Sequence, residues 1–452
     1  MSTRLGERFA AAVGIQTGDN ERFTRNFWEL AAVQSPWVLM SRAPTAFSVV
    51  DGASKALLWE NGAGQLHAYV GQRLGGSVGA WIRGEQNWNR PGILMSRMGG
   101  LPASVYPGGA YADNCMVITS DRDSESDLGA LWELVRTGEV AQRIRAVDQS
   151  LNITPGSALA AKVQLASDHA PLPKPSSDEP TQWLFRGLVA GSRNPMQVAV
   201  ARLLGFQWPD QEPDDVDGLA DEDGIVCLPA LGGEVTAEER LRTLMAKVYG
   251  TQWTHQLLES LLIDAGAKPG VGLEKWLRAA FFKDHCRVFS NRPFIWQVWD
   301  GRPDGFSALV NYHKLDRRLL ESLTYNYLGN WWIGRQRDEV AGGAIGAEAR
   351  LTAALELKQK LELILLGEPP YDIYVRWKSL EEQPMGWDPD LDDGVRLNIR
   401  PFMMASVLRA KPNIHWKKDR GKNPDGSDRH NDVHLTLAEK REARQAASRG
   451  RS

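Results

Sequence analysis

The stretch HCRVFSNRPFIWQVWDGRPDGFSALVNYHKLDRRLLESLTYNYLGNWW (His285–Trp332) alternates aromatic rings with cationic side chains more densely than an ordinary amphipathic element does. Such a mixture suits a surface laid against nucleic acid, where guanidinium and aromatic faces pack on sugars and bases while the cations meet phosphates. A competing reading uses the same residues differently. Phe294, Trp296 and Trp299 then fill a core, and Arg292 and Arg302 are merely solvated.

Working outward, the chain falls into an α+β pattern. From Gly14 to about Thr119, short apolar segments (AFSVV, LHAYVG, CMVIT) alternate with glycine-rich turns, which predicts strands and a twisted β-rich unit. Leu131, Leu134, Val135, Val140, Ile144 and Val147 recur at helical spacing, predicting a closing helix from Leu128 to Leu151. The prolines at 171, 173, 175 and 180 make residues 167–182 a stiff polar connector, which separates a unit at 1–166 from a mainly helical region at 183–435. In that region Asn194-Pro195 marks a helix start, and Thr236 with Glu239 forms a capping box. Further helices are expected at Leu257–Asp264, Leu273–Asp284, Leu315–Tyr327 and Ala347–Leu366. Thr436 with Glu439 caps a last charged helix in the tail, 436–452.

Composition narrows the class. The chain has 452 residues and a formal net charge of −3, so attraction to nucleic acid must come from local patches. Asp210 to Asp223 is acidic and reads as a solvated loop, whereas Arg409 to Lys422 carries six cations against Asp419 alone. No apolar run approaches bilayer length and the N-terminus lacks a secretory apolar core, so a cytoplasmic protein with no membrane partner is expected. Cys115, Cys227 and Cys286 are too widely spaced for a paired zinc site or a disulfide framework and read as buried thiols. His285 beside Cys286 offers no second ligand pair, so a structural role is expected. Asp121, Asp123, Glu125 and Asp127 imitate a calcium loop, but Ser126 stands where glycine is required and Trp132 where the bidentate glutamate belongs. No metal is expected.

Several separate blocks resemble one family. They are Gly14–Asn20 (GIQTGDN) followed by Arg22, Phe23 and Trp28-Glu29; Trp59–Gly62; Val105–Gly109; Arg143–Thr154; Pro180–Phe185; Asp221–Pro229; Arg400–Phe402; and Lys411–Gly421. In this order they resemble the target-recognition and C-terminal half of the large adenine-N6 DNA methyltransferases of restriction–modification and BREX- and DISARM-type phage-defence systems. The resemblance implies double-stranded DNA as partner. It places DNA contact on Thr17, Asp19, Asn20, Arg22, Arg292, Arg302, Lys411, Lys417, Lys418, Arg420 and Lys422, with Phe294, Trp296 and Trp299 packing the recognition surface from behind as the alternative.

A class I methyltransferase needs a glycine-rich cofactor turn, and adenine methylation needs an (Asn/Asp/Ser)-Pro-Pro-aromatic loop to hold a flipped base. In relatives of this kind both precede the TGDN-like block, and only sixteen residues precede Thr17 here. No complete class I Rossmann domain and no catalytic or cofactor-binding residues are therefore expected. S-adenosylmethionine is expected on a catalytic methyltransferase subunit acting in trans. Glu368-Pro369-Pro370-Tyr371 imitates the catalytic loop, but it follows a helical leucine pattern ended by Gly367 and reads as a capped helix with a proline-stiffened turn. Gly342–Gly346 reads as a connection. Two other classes remain open: a non-enzymatic DNA-binding or scaffold subunit or truncated remnant, and an independent hydrolase built on Asp19 and Asp113.

Overall fold

The computed structural model describes residues 3–166, 170–367, 387, 389 and 391–415, and the backbone of 419–422 and 428–430. The fold is mixed α+β and divides into two compact units. The first comprises Met1–Trp28, Ala32–Arg186 and Trp208–Gln211; the second comprises Glu29–Ala31, Gly187–Gln207 and Glu212–Ser452.

At the centre of the first unit is the run CMVITS. Its strand, Cys115–Ser120, is buried at every position and pairs antiparallel with Phe9–Val13 on one side and Ile93–Ser96 on the other, with Ala103–Val105 at the edge. Side chains of a strand alternate between faces. Met116 and Ile118, with Ile93 and Met95 beside them, meet Leu128, Leu131, Trp132, Val135, Val140 and Ile144 of two helices. Cys115, Val117 and Leu94 point the other way, to Tyr106 and Tyr111. Both faces are covered, which is why this strand reads as a continuous apolar run.

A second four-stranded sheet is built from Thr24–Asn26, Lys55–Leu58, Trp37–Ser41 and Ala110–Tyr111. It carries a separate core of Ile15, Phe23, Met40, Leu57, Trp59, Leu66 and Val70. Among the described residues the Trp37–Ser41 and Ala110–Tyr111 pair is the one parallel pairing of named strands, so no sheet there has the parallel layout of a Rossmann domain.

Three expectations for this unit are corrected. LHAYVG is not a strand but part of the helix Gln65–Arg73. Leu66 and Val70, four apart, are its buried residues, and the Glu60 carboxylate accepts the first helical N–H, from Gln65. AFSVV is an irregular loop. Ser48 N–H bonds Ala103 O and Val105 N–H bonds Val49 O, yet the Asp51 carboxylate gathers Thr45 N–H, Thr45 O–H and Ala46 N–H into a turn that prevents a regular ladder. The helix expected over Leu128–Leu151 is two, Glu125–Arg136 and Glu139–Val147, because Gly138 takes a left-handed φ of 78° between them.

In the second unit the opening stretch supplies a β-hairpin, Ile295–Trp299 and Ser307–Asn311, joined by Ile225–Cys227 into an antiparallel sheet of three strands. Phe289, Phe294, Trp296, Phe306 and Tyr312 are all fully buried. Most of its rings therefore make a core rather than a surface, because strand positions of both parities face packed helices. His285 is sealed among Phe281, Phe289 and Phe294. Ile295 N–H donates to its Nε2 at 3.1 Å, so the proton sits on Nδ1 and is donated to Gln197 Oε1 at 2.9 Å. Burial pushes its pKa down to about 3. The three cysteines are buried free thiols.

The helices follow their sequence signals closely: Pro195–Leu203, Ala237–Tyr249 with the Thr236/Glu239 capping box, His255–Asp264, and Ala347–Leu366 ended by Gly367 at φ 65°. The expected Leu273–Asp284 helix is broken at Ala280 into Leu273–Ala279 and Phe281–Val288. Arg317–Ser322, capped by Asp316, runs on through a π-helical segment, Leu323–Ile333, into Gly334–Ala341. The acidic run is not simply solvated. Arg202, 2% exposed, is neutralised by Asp214 at 2.5 Å and Asp217 at 2.8 Å, the pairing a buried cation requires. Asp221 accepts the N–H groups of Asp223, Gly224 and Ile225 and pairs with Arg240.

No described helix is long and apolar enough to cross a membrane. Residues 167–169, Glu368-Pro369-Pro370-Tyr371, Trp416 and the Thr436/Glu439 helix lie outside the described residues.

Candidate nucleic-acid interface

In the first unit the TGDN block is a tight turn that starts a short helix, Asn20–Phe23. Thr17 O–H donates to Asn20 Oδ1 at 2.6 Å, and Asp19 Oδ1 accepts Arg22 N–H at 3.2 Å as the N-cap. Thr17 is 2% exposed, so its hydroxyl serves the turn, whereas Asn20 is exposed. Gly18 has φ +70° and lies on Trp81, whose ring would be 2.5 Å from an added Cβ; only glycine fits.

Around that turn, cations lie against aromatic rings, of which Phe23 is buried and Tyr69 and Trp81 are partly exposed. The Arg22 guanidinium is 4.9 Å from the Phe23 centroid and 5.8 Å from that of Tyr69. Arg73 lies 5.9 Å from both Tyr69 and Trp81 and donates to the Tyr69 hydroxyl at 2.9 Å. Arg73 comes from the Gln65–Arg73 helix, so reading that segment as a strand hid it. The result is an arginine–aromatic face with flat π surfaces and fixed cations, a combination suited to contact with nucleic acid.

In the second unit, Arg302 sits in the turn of the hairpin. The Asp300 carboxylate accepts Arg302 N–H and Phe306 N–H, and burial raises its pKa. Arg302 pairs with Asp304 through both Nε and Nη2. Residues 407–409 run alongside the hairpin: Trp299 N–H bonds Val407 O, Arg409 N–H bonds Gln297 O, and Val298 bridges Leu408. This pairing brings the start of the C-terminal basic segment to Arg302, and both arginines line one open cavity of about 400 Å³. Asn413 N–H donates to Asn291 Oδ1, which sets Lys411, exposed, on a segment tied to the neighbour of Arg292. Arg292 itself approaches Glu29 at 4.0 Å. Arg420 and Lys422 fall on a two-stranded ribbon, Asp419–Lys422 with Asp428–His430, while Lys417 and Lys418 lie outside the described residues.

The remaining blocks are mostly folding points. Glu60 caps a helix, Tyr106 O–H bonds Gly109 O, Thr154 caps Pro155–Ala160, and the indole N–H of Trp208 bonds Pro180 O.

The chain is similar to adenine-specific methyltransferases. It is 28% identical over 190 residues to the adenine-specific methyltransferase PglX of Lacticaseibacillus casei (strain Zhang), a match covering 41% of this chain and 15% of that protein. It is 28% identical over 212 residues to the adenine-specific methyltransferase BrxX of Escherichia coli O9:H4 (strain HS), covering 42% and 16%. The matched region is thus about a sixth of either relative's length. No family model matches the chain. Lys275 and Arg278, which join Trp299, Arg302 and Arg409 in the cavity, were not marked as contacts by any motif. A signal existed only in the cationic bias of both segments.

Proposed function

We propose that this chain is the DNA-recognition portion of an adenine-N6 DNA methyltransferase of a restriction–modification or phage-defence system. It holds duplex DNA and selects the target, while a catalytic methyltransferase subunit in trans carries S-adenosylmethionine and transfers the methyl group. The observation that carries this reading is the similarity to two adenine-specific methyltransferases across about two fifths of the chain. The arginine–aromatic face of the first unit supports it, since Arg22 and Arg73 lie over its rings. So does the cationic lining of the cavity at the hairpin turn.

In this reading the 1–166 unit supplies target recognition together with phosphate contacts at Arg22 and Arg73, and 183–435 and the basic segment from Lys411 to Lys422 hold the backbone. Phosphate contacts position a protein on DNA without reading its sequence, so the two roles are separable. The test is fluorescence anisotropy of the full chain with labelled duplexes, followed by tritium transfer from S-adenosylmethionine after mixing with a separately produced catalytic subunit. Duplex binding together with methylation that depends on adding the chain is the expected result. Methylation by the partner at an unchanged rate and site without the chain would remove the recognition role.

A further inference from the structure

We propose that the cavity at the hairpin turn is a phosphate-ester site in which Arg409 and Lys275 supply the direct contacts. Lys275, Arg278, Arg302 and Arg409 line it against two carboxylates, Glu274 and Asp304, an excess of two positive charges in one concavity. A cavity of this size accommodates a nucleotide-sized group.

The arrangement of the cations matters more than their number. Arg409 is fixed twice: its guanidinium carbon stacks 4.3 Å from the Trp299 centroid, and its Nε donates to Arg278 O at 2.7 Å. Trp299 is itself fixed by its indole N–H on Leu408 O. The Nε and one face of the Arg409 fork are thereby used, and its two terminal nitrogens have no acceptor among the described residues. Lys275 is exposed on the Leu273–Ala279 helix and likewise forms no ion pair or hydrogen bond among the described residues. Arg278 and Arg302, by contrast, are held by Glu274 and Asp304. Two cations are therefore free to meet a ligand, and two are tied down as walls of positive potential. A planar guanidinium fork locked by stacking loses little freedom on meeting two phosphate oxygens, and a flexible ammonium beside it can follow the third.

The hairpin turn keeps this geometry. Asp300 ties the turn through Arg302 N–H and Phe306 N–H, and its carboxylate fills the space a side chain at Gly305 would need, 2.2 Å from a built Cβ. The site stands on this geometry alone; that the ester is a DNA phosphodiester rests on the DNA-recognition reading.

The experiment compares the full chain with Lys275→Gln/Arg409→Gln, with Arg409→Lys as the conservative control and circular dichroism confirming the fold of each. Each is titrated with one labelled duplex over a salt series and, by calorimetry, with inorganic phosphate and adenosine monophosphate. For a phosphodiester, the double variant flattens the slope of log affinity against log salt by about 1.8, since each phosphate contact contributes roughly 0.9. Arg409→Lys then keeps most of that slope, because the charge remains, but loses affinity with the fork. If instead the nucleotide binds wild type, is lost in the double variant and the duplex lines stay parallel, the phosphate-ester site stands with a free nucleotide as its source. Wild type that binds phosphate or nucleotide but no duplex leaves the site standing and removes the DNA reading. Parallel duplex lines with neither phosphate nor nucleotide bound by wild type overturn the proposal.

Discussion

Around Gly18, the rings of Tyr69 and Trp81 stay partly at the surface and Arg22 and Arg73 lie across them. Along His285–Trp332, Phe289, Phe294, Trp296 and Tyr312 are sealed inside, while Arg292 precedes the hairpin and Arg302 sits in its turn. Both regions are rich in the same residue types. The difference lies in backbone geometry: a hairpin packed on both faces buries alternate residues of either parity, whereas a glycine turn over one short helix leaves ring faces open. Aromatic density alone thus says nothing about a binding surface. What the Gly18 region adds is a cation, Arg73, held over the Tyr69 and Trp81 rings.

The sharpest way to break this comparison is to remove a ring from the buried set. Trp296 stacks on Tyr312 and packs against Phe402, so Trp296→Ala should cost about 3–5 kcal/mol, as large aromatic deletions in cores do. Urea unfolding measures it. A loss below about 1 kcal/mol would mean that the hairpin is not core.

His285 offers a second test of burial. Its folded pKa lies below that of an unfolded histidine, so the unfolded chain binds the extra proton between about pH 6.5 and 3. The stability that depends on neutral His285 is complete above pH 6.5 and declines as pH falls, by up to roughly 1.4 kcal/mol per pH unit. Comparing denaturant midpoints from pH 7 to pH 5 for wild type and His285→Gln isolates this contribution. Equal pH dependence in the two proteins would place the imidazole in contact with water.

On the open side, Gly18→Ala forces a left-handed φ on a residue with a Cβ and pushes it into Trp81, which should cost about 1–3 kcal/mol. Thermal melting reads the loss; no change would show that the turn relaxes freely. The smallest stability effect is expected at Arg73, which is exposed and lies against Tyr69 and Trp81. Arg73→Gln should change stability by no more than about 0.5 kcal/mol, yet flatten the duplex salt slope by roughly 0.9. A clear stability loss with an unchanged slope would make this arginine structural.

How much could be read beforehand follows the same physics. Signals written in consecutive residues were legible: Asn194-Pro195, the Thr236/Glu239 box, the Gly367 stop and the doubly buried CMVIT strand each appear where their local chemistry puts them. Breaks inside apolar periodicity were not, because Gly138 and Ala280 interrupt helices whose hydrophobic spacing continues across them. LHAYVG was misread because its first helical N–H is capped by Glu60, in a separate block. Of the candidate contacts, the turn of Thr17, Asp19 and Asn20 was locatable as a motif, but not that Thr17 and Asp19 spend their oxygens on the turn itself. The meeting of Arg302 with Arg409 depends on residues 407–409 pairing with the hairpin, a long-range contact that no local pattern encodes.

The most direct test of the central claim is a salt titration of the full chain on a single duplex by fluorescence anisotropy, beside the double variant Arg22→Gln/Arg73→Gln. The account predicts measurable binding at low salt, a linear fall of log affinity with log salt, and a slope about 1.8 shallower in the variant. Absence of duplex binding by wild type at low salt, or superimposable lines for the two proteins, would contradict it.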